Sequence, residues 1–476
     1  MKLLKDYKML INGEWVGSDE KIEVLNPYNG TVLGTVPKAT KSDVDNAIKS
    51  AEEGFKVISK MPAHERSKIL ENTSRLIEEN QEELAKIISL EAGKSLKYSM
   101  AELGRSVETF KFASEEAKQI HGETIPLDAS KSGEGRIGFY LRVPKGIIGA
   151  ITPFNFPLNL VAHKVAPAIA AGNSVVLKPA TTTPITSIRL GEIMSEAGLP
   201  KGVLNIVTGK GSDIGNWIVT DERVAMITFT GSLEVGRKIK SLAGLKPVTL
   251  ELGSNSAVIL DADTDINRAI PRCLMGGFCN SGQVCISVQR IYVHNSILQE
   301  FTAEFVAAVK KLKVGNPIEK DTDFGPMIEE KEAIRAKEWI DEAIKQGAKI
   351  LTGGERNGPI LQATVLADVT PGMRVVKDEI FAPVVSIIPF NDFSEAVSLV
   401  NDSIYGLQAG VYTQNIKNAL TAAREIKTGG VIINDVPTFR VDQMPYGGVK
   451  GSGIGREGLK FSIEEMTDIK MVVFNV

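Results

Sequence analysis

The sequence predicts an α/β protein with two parallel-sheet units and a small additional β element. Three observations predict it. Short apolar runs rich in Val and Ile, bounded by Gly, Pro, Asn or Thr, recur from residue 147 onward. Helical stretches separate these runs, and strands apolar on both faces belong in parallel sheets covered on two sides. The series resumes after residue 265, so two such units are expected in a chain of 476 residues. At ~150 residues per unit the length allows roughly three.

The first 120 residues read as a short strand region followed by helices. In Thr40-Lys41-Ser42-Asp43, Ser42 is placed to cap a helix with Asp45 three residues on. Val44, Ala47, Ile48, Ala51, Phe55 and Ile58 then form one apolar stripe. Pro62 starts a second helix, and apolar spacing continues through 84–88 and 103–112. The first sheet is expected from runs at 147–151, 174–177, 203–207, 225–229, 247–250 and 257–260. The second is expected from 290–293, 384–389, 409–412 and 430–434. The polar stretch 130–138 leads into Phe139-Tyr140-Leu141-Arg142-Val143 as a hairpin. The chain ends in an apolar tail (Met471, Val472, Val473, Phe474), for which pairing with another chain is the natural remedy and closure of its own sheet the alternative.

Composition excludes several classes. With 43 % apolar and 24 % charged residues, 44 Gly and 21 Pro, the chain is neither disordered nor collagen-like. Lys and Arg total 55 against 58 Asp and Glu, a net charge of −3, so no basic excess exists for nucleic acid. No apolar run approaches the ~18 residues a membrane span needs, and the start from Met1 to Lys8 is too charged for a signal peptide. Three cysteines, an odd number, do not make a disulfide framework, and a cytoplasmic protein is expected.

The strongest chemical signal is Phe278-Cys279-Asn280-Ser281-Gly282-Gln283-Val284-Cys285. A Cys in a loop just before a strand, behind a Gly that frees the backbone, is where a reactive thiolate sits. Cys273 and Cys279 read as inert core residues. Without Cys-x-x-Cys or a nearby His, no metal site is expected. His64, His121, His163 and His294 lie in no catalytic motif, although spacing alone does not exclude a Cys–His pair. In Thr249-Leu250-Glu251-Leu252-Gly253, Glu251 is a buried carboxylate: a general base, or an acceptor of backbone hydrogen bonds at a strand end. In Thr152-Pro153-Phe154-Asn155-Phe156-Pro157, Asn155 either supplies an oxyanion donor or caps a helix near Pro157. Lys178 ends a strand before Pro179, a frequent cofactor position. Thr230-Gly231-Ser232 follows a strand and precedes a helix whose N–H groups could cradle a pyrophosphate. Gly209-Lys210-Gly211-Ser212-Asp213-Ile214-Gly215 is one residue too long for Gly-x-Gly-x-x-Gly and is weak as a dinucleotide signature.

Together these residues closely resemble the aldehyde dehydrogenase superfamily, from Ile11-Asn12-Gly13-Glu14-Trp15 to Pro445-Tyr446-Gly447-Gly448-Val449-Lys450-Gly451-Ser452-Gly453. The resemblance implies a Rossmann-like NAD(P)-binding domain (1–124 and 145–250), a catalytic domain (251–445) and an oligomerisation element (125–144 and 446–476) of a dimer or tetramer. It implies Cys285 as the nucleophile that forms a thiohemiacetal and then a thioester. Asn155 and the Cys285 N–H would hold the oxyanion, and Glu251 would activate the hydrolytic water. Lys178 would bind the adenosine ribose, Ser232 the pyrophosphate and Glu379 the nicotinamide ribose, with Phe381 beside it. Thr152, Pro153, Thr181, Lys210, Gly211, Thr230, Gly231 and Leu252 complete the expected cofactor set. Phe156, Val284, Arg105 and Arg440 form the expected substrate set.

Departures from the family pattern refine this. Thr181 stands where NAD-preferring relatives often carry Glu. A carboxylate ~4 Å from a 2′-phosphate would cost about 4 kcal/mol at an effective dielectric of ~20. Its absence, with Lys210 in reach, implies that NADP is accepted or preferred over NAD. Ser254 and Asn255 stand where many relatives have Gly and Lys, and Phe154 where Trp is common. The stretch 209–227 resembles non-phosphorylating glyceraldehyde-3-phosphate dehydrogenases, yet Val284 replaces the Arg that holds their substrate phosphate. Arg105, if not paired with Glu102 or Glu108 on its helix, and Arg440 point to a short polar or anionic aldehyde: lactaldehyde, glyceraldehyde, a semialdehyde, or a phosphono- or sulfo-aldehyde. Two rivals are a CoA-acylating enzyme using the same thioester and a nucleotide-binding protein without catalysis.

Overall fold

An eight-stranded and a seven-stranded sheet organise residues 5–476, the part of the chain that the computed structural model describes. Of the charged opening 1–8, the first four residues lie outside the described part. In the first sheet the parallel strands Leu204–Ile206, Ser174–Lys178, Ile147–Ile151, Val224–Thr230 and Val248–Glu251 lie side by side in that order. Every residue of Ser174–Lys178 and Ile147–Ile151 is buried, as expected for strands covered on both faces. The Met9–Ile11/Glu14–Val16 hairpin closes one edge and Gly453–Ile454 the other, both antiparallel. The chain runs outward from Ile147–Ile151 in one direction and resumes on its other side at Val224–Thr230. That reversal is a topological switch point, where open α/β sheets form their crevice.

The second sheet orders Thr364–Ala367, Val384–Phe390, Arg290–His294, Ala257–Leu260, Gln408–Tyr412 and Gly430–Ile433 in parallel, with antiparallel Lys349–Thr352 at one edge. Ala257–Leu260 was expected in the first sheet. It belongs to the second because its partners, Arg290–His294 and Gln408–Tyr412, come later in the chain.

The helices sit where the apolar stripes place them: Lys41–Ile58, Ala63–Glu79, Gln81–Ala92 and Leu96–Glu116. One cap differs. Thr40, not Ser42, ends the first helix, accepting from the Asp43 N–H while the Asp43 carboxylate accepts from the Thr40 N–H. Among the described residues no helix is long and apolar enough to cross a membrane.

A three-stranded sheet joins Thr124–Ile125, Arg136–Pro144 and the tail Thr467–Asn475. Of the two readings of the tail, closure of its own sheet is met: it runs antiparallel to Arg136–Pro144 over its whole length. This pairing hides one edge and leaves the other at the sheet's margin. The stretch 446–466, expected with that element, joins the first sheet: Gly453–Ile454 pairs with Val248–Glu251, and Leu459–Glu465 packs on Asn159–Ala170.

Candidate active site

The Cys285 loop is built on a turn that few sequences can make. Asn280, Ser281 and Gly282 all have left-handed backbone, with φ of 50°, 57° and 69°. A Cβ at Gly282 would stand 2.1 Å from the Ala382 carbonyl oxygen, so glycine is required there. Gln283 locks the turn: its amide donates to the Asn280 carbonyl and its Oε1 accepts from the Ile328 N–H. Cys285 is thereby held half-buried against Val284, Ile286, Leu407 and Tyr446. Its Sγ lies 3.1 Å from the Tyr446 hydroxyl. Burial pushes the Cys285 thiol up to about 11, with Tyr446 and Arg440 opposing the rise and the Glu251 and Glu379 carboxylates adding to it.

Asn155 faces this turn. Its Nδ2 donates to the Gln283 carbonyl at 2.9 Å, and its own carbonyl accepts from Asn280 Nδ2 at 3.2 Å. It does not cap a helix, since the next one starts at Asn159, with Leu158 at the cap position. That cap is made by Glu102 of another helix, whose Oε1 accepts from the Leu158 and Asn159 N–H groups. Glu102 Oε2 pairs with the fully buried Lys94, whose Nζ lies 3.7 Å from the Phe156 ring centre. The ring of Phe156, expected on the substrate side, is thus held against the Lys94 ammonium. Cys273 is buried core as expected. Cys279 is half-buried, packs against the same apolar cluster as Cys285, and burial pushes its thiol up to about 11.

Glu251 ends the strand Val248–Glu251 and is 3 % exposed, yet neither carboxylate oxygen has a hydrogen-bond partner among the described residues. The expectation of backbone bonds at a strand end is not met. Burial drives its carboxyl well above the usual range; Glu457 adds to the rise and Arg440, Lys164 and Arg456 oppose it. Those neighbours form a buried chain of charges. Lys164 pairs with Glu457 at 2.9 Å, Glu457 with Arg440 at 3.1 Å, and Arg440 meets His163 Nε2 at 3.2 Å. His163 contacts Asp442 at 2.7 Å, and Asp442 pairs with Arg105 at 2.6 Å. Arg105 thus pairs with neither Glu102 nor Glu108. Arg440 is held by Glu457, while its Nε has no partner among the described residues. Val284 is buried in the wall beside Cys285.

The remaining predicted residues gather at the ends of the first sheet's strands. Lys178 is 4 % exposed and makes no ion pair among the described residues; its Nζ reaches only the Thr181 hydroxyl, at 3.3 Å. Burial holds its ammonium down to about 8. Thr181 in turn donates to the Gly209 carbonyl. The Thr152 and Thr230 hydroxyls are buried without partners among the described residues. Lys210 and Gly211 are exposed at the start of the helix Gly211–Thr220. Ser232 caps Leu233–Leu242, beyond half-buried Gly231, and Leu252 packs under that helix against Gly236. Pro153 is half-buried beside Thr152. Across the crevice, Glu379 accepts from the Ser254 N–H at 2.8 Å, and burial lifts its carboxyl to about 7. Phe381 meets Phe154 edge-on at 6.1 Å.

An unpaired buried cation, two orphaned hydroxyls and two helix starts around a switch-point crevice fit an anionic dinucleotide. The family model described as Aldehyde dehydrogenase family matches residues 15–472. The chain belongs to that family. This aldehyde dehydrogenase is 48 % identical to the 3-sulfolactaldehyde dehydrogenase of Priestia aryabhattai, over 99 % of each chain. Its fold superposes on aldehyde dehydrogenase 21 of Physcomitrella patens in complex with the product succinate, with a TM-score of 0.97, 43 % identity and 99 % of each chain covered. The NADP complex of glyceraldehyde-3-phosphate dehydrogenase GapN from Methanocaldococcus jannaschii gives 0.93 at 41 % identity, covering 96 % of this chain and all of that one. The enzyme is NAD(P)-dependent.

Several residues that this aldehyde dehydrogenase places at the site were not legible. Lys94, Glu102, Lys164 and Glu457 carry no motif of their own, and only Lys164 sits in an apolar stretch that signals burial. Gln289 and Asn255 hold the Glu379 loop through the carbonyls of Val375, Val376, Lys377 and Asp378.

Proposed function

We propose that this enzyme oxidises a short polar or anionic aldehyde to its carboxylic acid through a thioester on Cys285. Cys285 Sγ adds to the aldehyde carbon, and the Asn155 amide with the Cys285 N–H holds the oxygen of the thiohemiacetal. The bound dinucleotide supplies the hydride acceptor. The acyl group left on Cys285 is released as the acid when water attacks it, Glu251 takes the water proton, and the C–S bond breaks with its electron pair returning to Cys285 as the thiolate. The observation that carries this reading is Glu251: a buried carboxylate at a strand end whose two oxygens have no hydrogen-bond partner among the described residues, and whose charge helps raise the Cys285 thiol. It favours water over coenzyme A as the acceptor.

Lys178, Thr152, Pro153, Thr181, Lys210, Gly211, Thr230, Gly231, Ser232, Leu252, Glu379 and Phe381 would hold the cofactor. With Thr181 instead of an acid beside Lys178, NADP is accepted and preferred. Phe156 and Val284 shape the substrate side. Arg105, 29 % exposed, and Arg440, whose Nε has no partner among the described residues, supply the cationic end for an anionic aldehyde. The names of relatives acting on sulfolactaldehyde or releasing succinate accord with that charge. We further propose a cytoplasmic dimer or tetramer; the three unpaired cysteines support a reducing compartment.

A panel of short aldehydes with NAD and NADP, with and without coenzyme A, tests the reading. The expected result is fastest NADPH formation with an anionic aldehyde, a free acid as product and no effect of coenzyme A. An acyl-CoA product or a strong preference for NAD and neutral aldehydes would overturn it.

A further inference from the structure

The Tyr446 hydroxyl has Cys285 Sγ as its neighbour at 3.1 Å, and Tyr446 is 3 % exposed. Its ring is fixed on two sides. The Tyr446 N–H donates to the Glu457 carbonyl at 3.0 Å, and the Glu457 N–H donates back at 2.7 Å. The Arg440 guanidinium lies over the ring, its carbon 3.7 Å from the centroid, and the Glu457 carboxylate pins that guanidinium. Tyrosine, arginine and glutamate thus form one packed unit that aims the Tyr446 hydroxyl at the sulfur.

We propose that Tyr446 is a catalytic residue that donates its hydroxyl hydrogen bond to the Cys285 thiolate, with Arg440 as the positioning residue stacked on its ring. The inference rests on Cys285 being the nucleophile.

The physical need is plain. Burial opposes ionisation of Cys285, and the Glu251 and Glu379 carboxylates that face it oppose it further. Tyr446 and Arg440 are the facing groups that favour the thiolate. Burial also keeps the Tyr446 phenol far above its ordinary range, so toward a thiolate it acts only as a donor. A hydrogen bond to a charged acceptor is about twice as strong as one to a neutral acceptor, so the contact gains most when the S–H bond breaks. The proton leaves for solvent, the electron pair stays on sulfur, and the Tyr446 O–H bond stays intact. Arg440, held over the π face, adds a positive charge that also favours the thiolate.

Tyr446→Phe removes the hydroxyl and keeps the ring, its packing and the Arg440 stack. The measurement is the rate of Cys285 alkylation by iodoacetamide against pH in the full chain, followed by mass spectrometry of the Cys285 peptide. The midpoint is expected to rise by about one pH unit, making alkylation below it about tenfold slower. Arg440→Lys, which keeps a cation for Glu457 without the planar stack, is expected to shift it in the same direction. An unmoved midpoint in Tyr446→Phe overturns the proposal, and an unmoved midpoint in Arg440→Lys removes Arg440 from it. Alkylation reads the sulfur whether or not aldehyde is turned over. If Cys285→Ala still oxidises aldehyde, the nucleophile reading fails and the alkylation result is unaffected.

Discussion

Buried acids in this chain differ in how they are satisfied, and that difference separates scaffold from chemistry. Glu91 accepts from the Ile185 and Thr186 N–H groups, Glu102 pairs with Lys94, and Glu457 with Lys164 and Arg440. Glu251 alone of these four has both oxygens without a partner among the described residues. An unsatisfied buried group costs stability, so it persists where function uses it. Because burial raises its carboxyl, Glu251 is protonated at low pH and becomes a base only as pH rises through that raised value. Thioester hydrolysis in the wild type should therefore climb with pH, and single-turnover deacylation in Glu251→Gln should lose that limb. Lys178 gives the opposite sign. Its ammonium is lost near pH 8, so the Kd for NADP should rise as pH passes through 8. Fluorescence titration of Lys178→Met should show about 10–100-fold weaker binding with no such slope. The same replacement removes a buried unpaired charge and should leave the cofactor-free protein no less stable in thermal melts. Cys285, Glu251, Asn155 and Lys178 stood out in the sequence because each is a polar residue where its neighbours dictate burial. Tyr446 did not, because an aromatic among glycines reads as packing until its hydroxyl is seen beside the sulfur.

Elements position these groups through local rules that the sequence reveals unevenly. The apolar runs mark the parallel strands well, since strands buried on both faces leave an unbroken Val/Ile signal. Which sheet a run joins is not local: Ala257–Leu260 follows the first series closely but pairs with strands that come later. The first helix shows a similar limit. Thr40 with Asp43 and Ser42 with Asp45 are overlapping capping boxes, and the choice falls to Thr40, just after the Ala39 N–H bonds to the Thr208 carbonyl. Thr40→Ala should lower unfolding stability by about 1 kcal/mol without changing kcat, as denaturant melts and steady-state rates would show. Gly282 is a different matter. Alanine there faces both a left-handed φ of 69° and a carbonyl 2.1 Å from its Cβ, and that carbonyl is backbone. Gly282→Ala should shift the Cys285 turn and cut kcat by about 100-fold while cofactor binding persists.

At the scale of the whole molecule, ion pairs join segments that lie far apart in the sequence. Arg105 and Asp442 are 337 positions apart, and Lys164 and Glu457 are 293 apart, so neither pair could be read from sequence; nearby Glu102 and Glu108 were the visible partners for Arg105. The tail shows what pairing leaves over. Ile469, Met471 and Val473 alternate on the strand Thr467–Asn475 and remain 62 %, 44 % and 50 % exposed. A second subunit covering this margin would bury them, and Ile469→Lys with Val473→Lys should lower the assembly state in sedimentation velocity. All of this geometry converges on one sulfur and one carboxylate. Rapid mixing of Glu251→Gln with NADP and an anionic aldehyde, followed by acid quench and peptide mass analysis, tests that directly. The account predicts a burst of one NADPH per subunit followed by a stall, with the acyl mass on the Cys285 peptide. Continued turnover with an unmodified Cys285 peptide would contradict it.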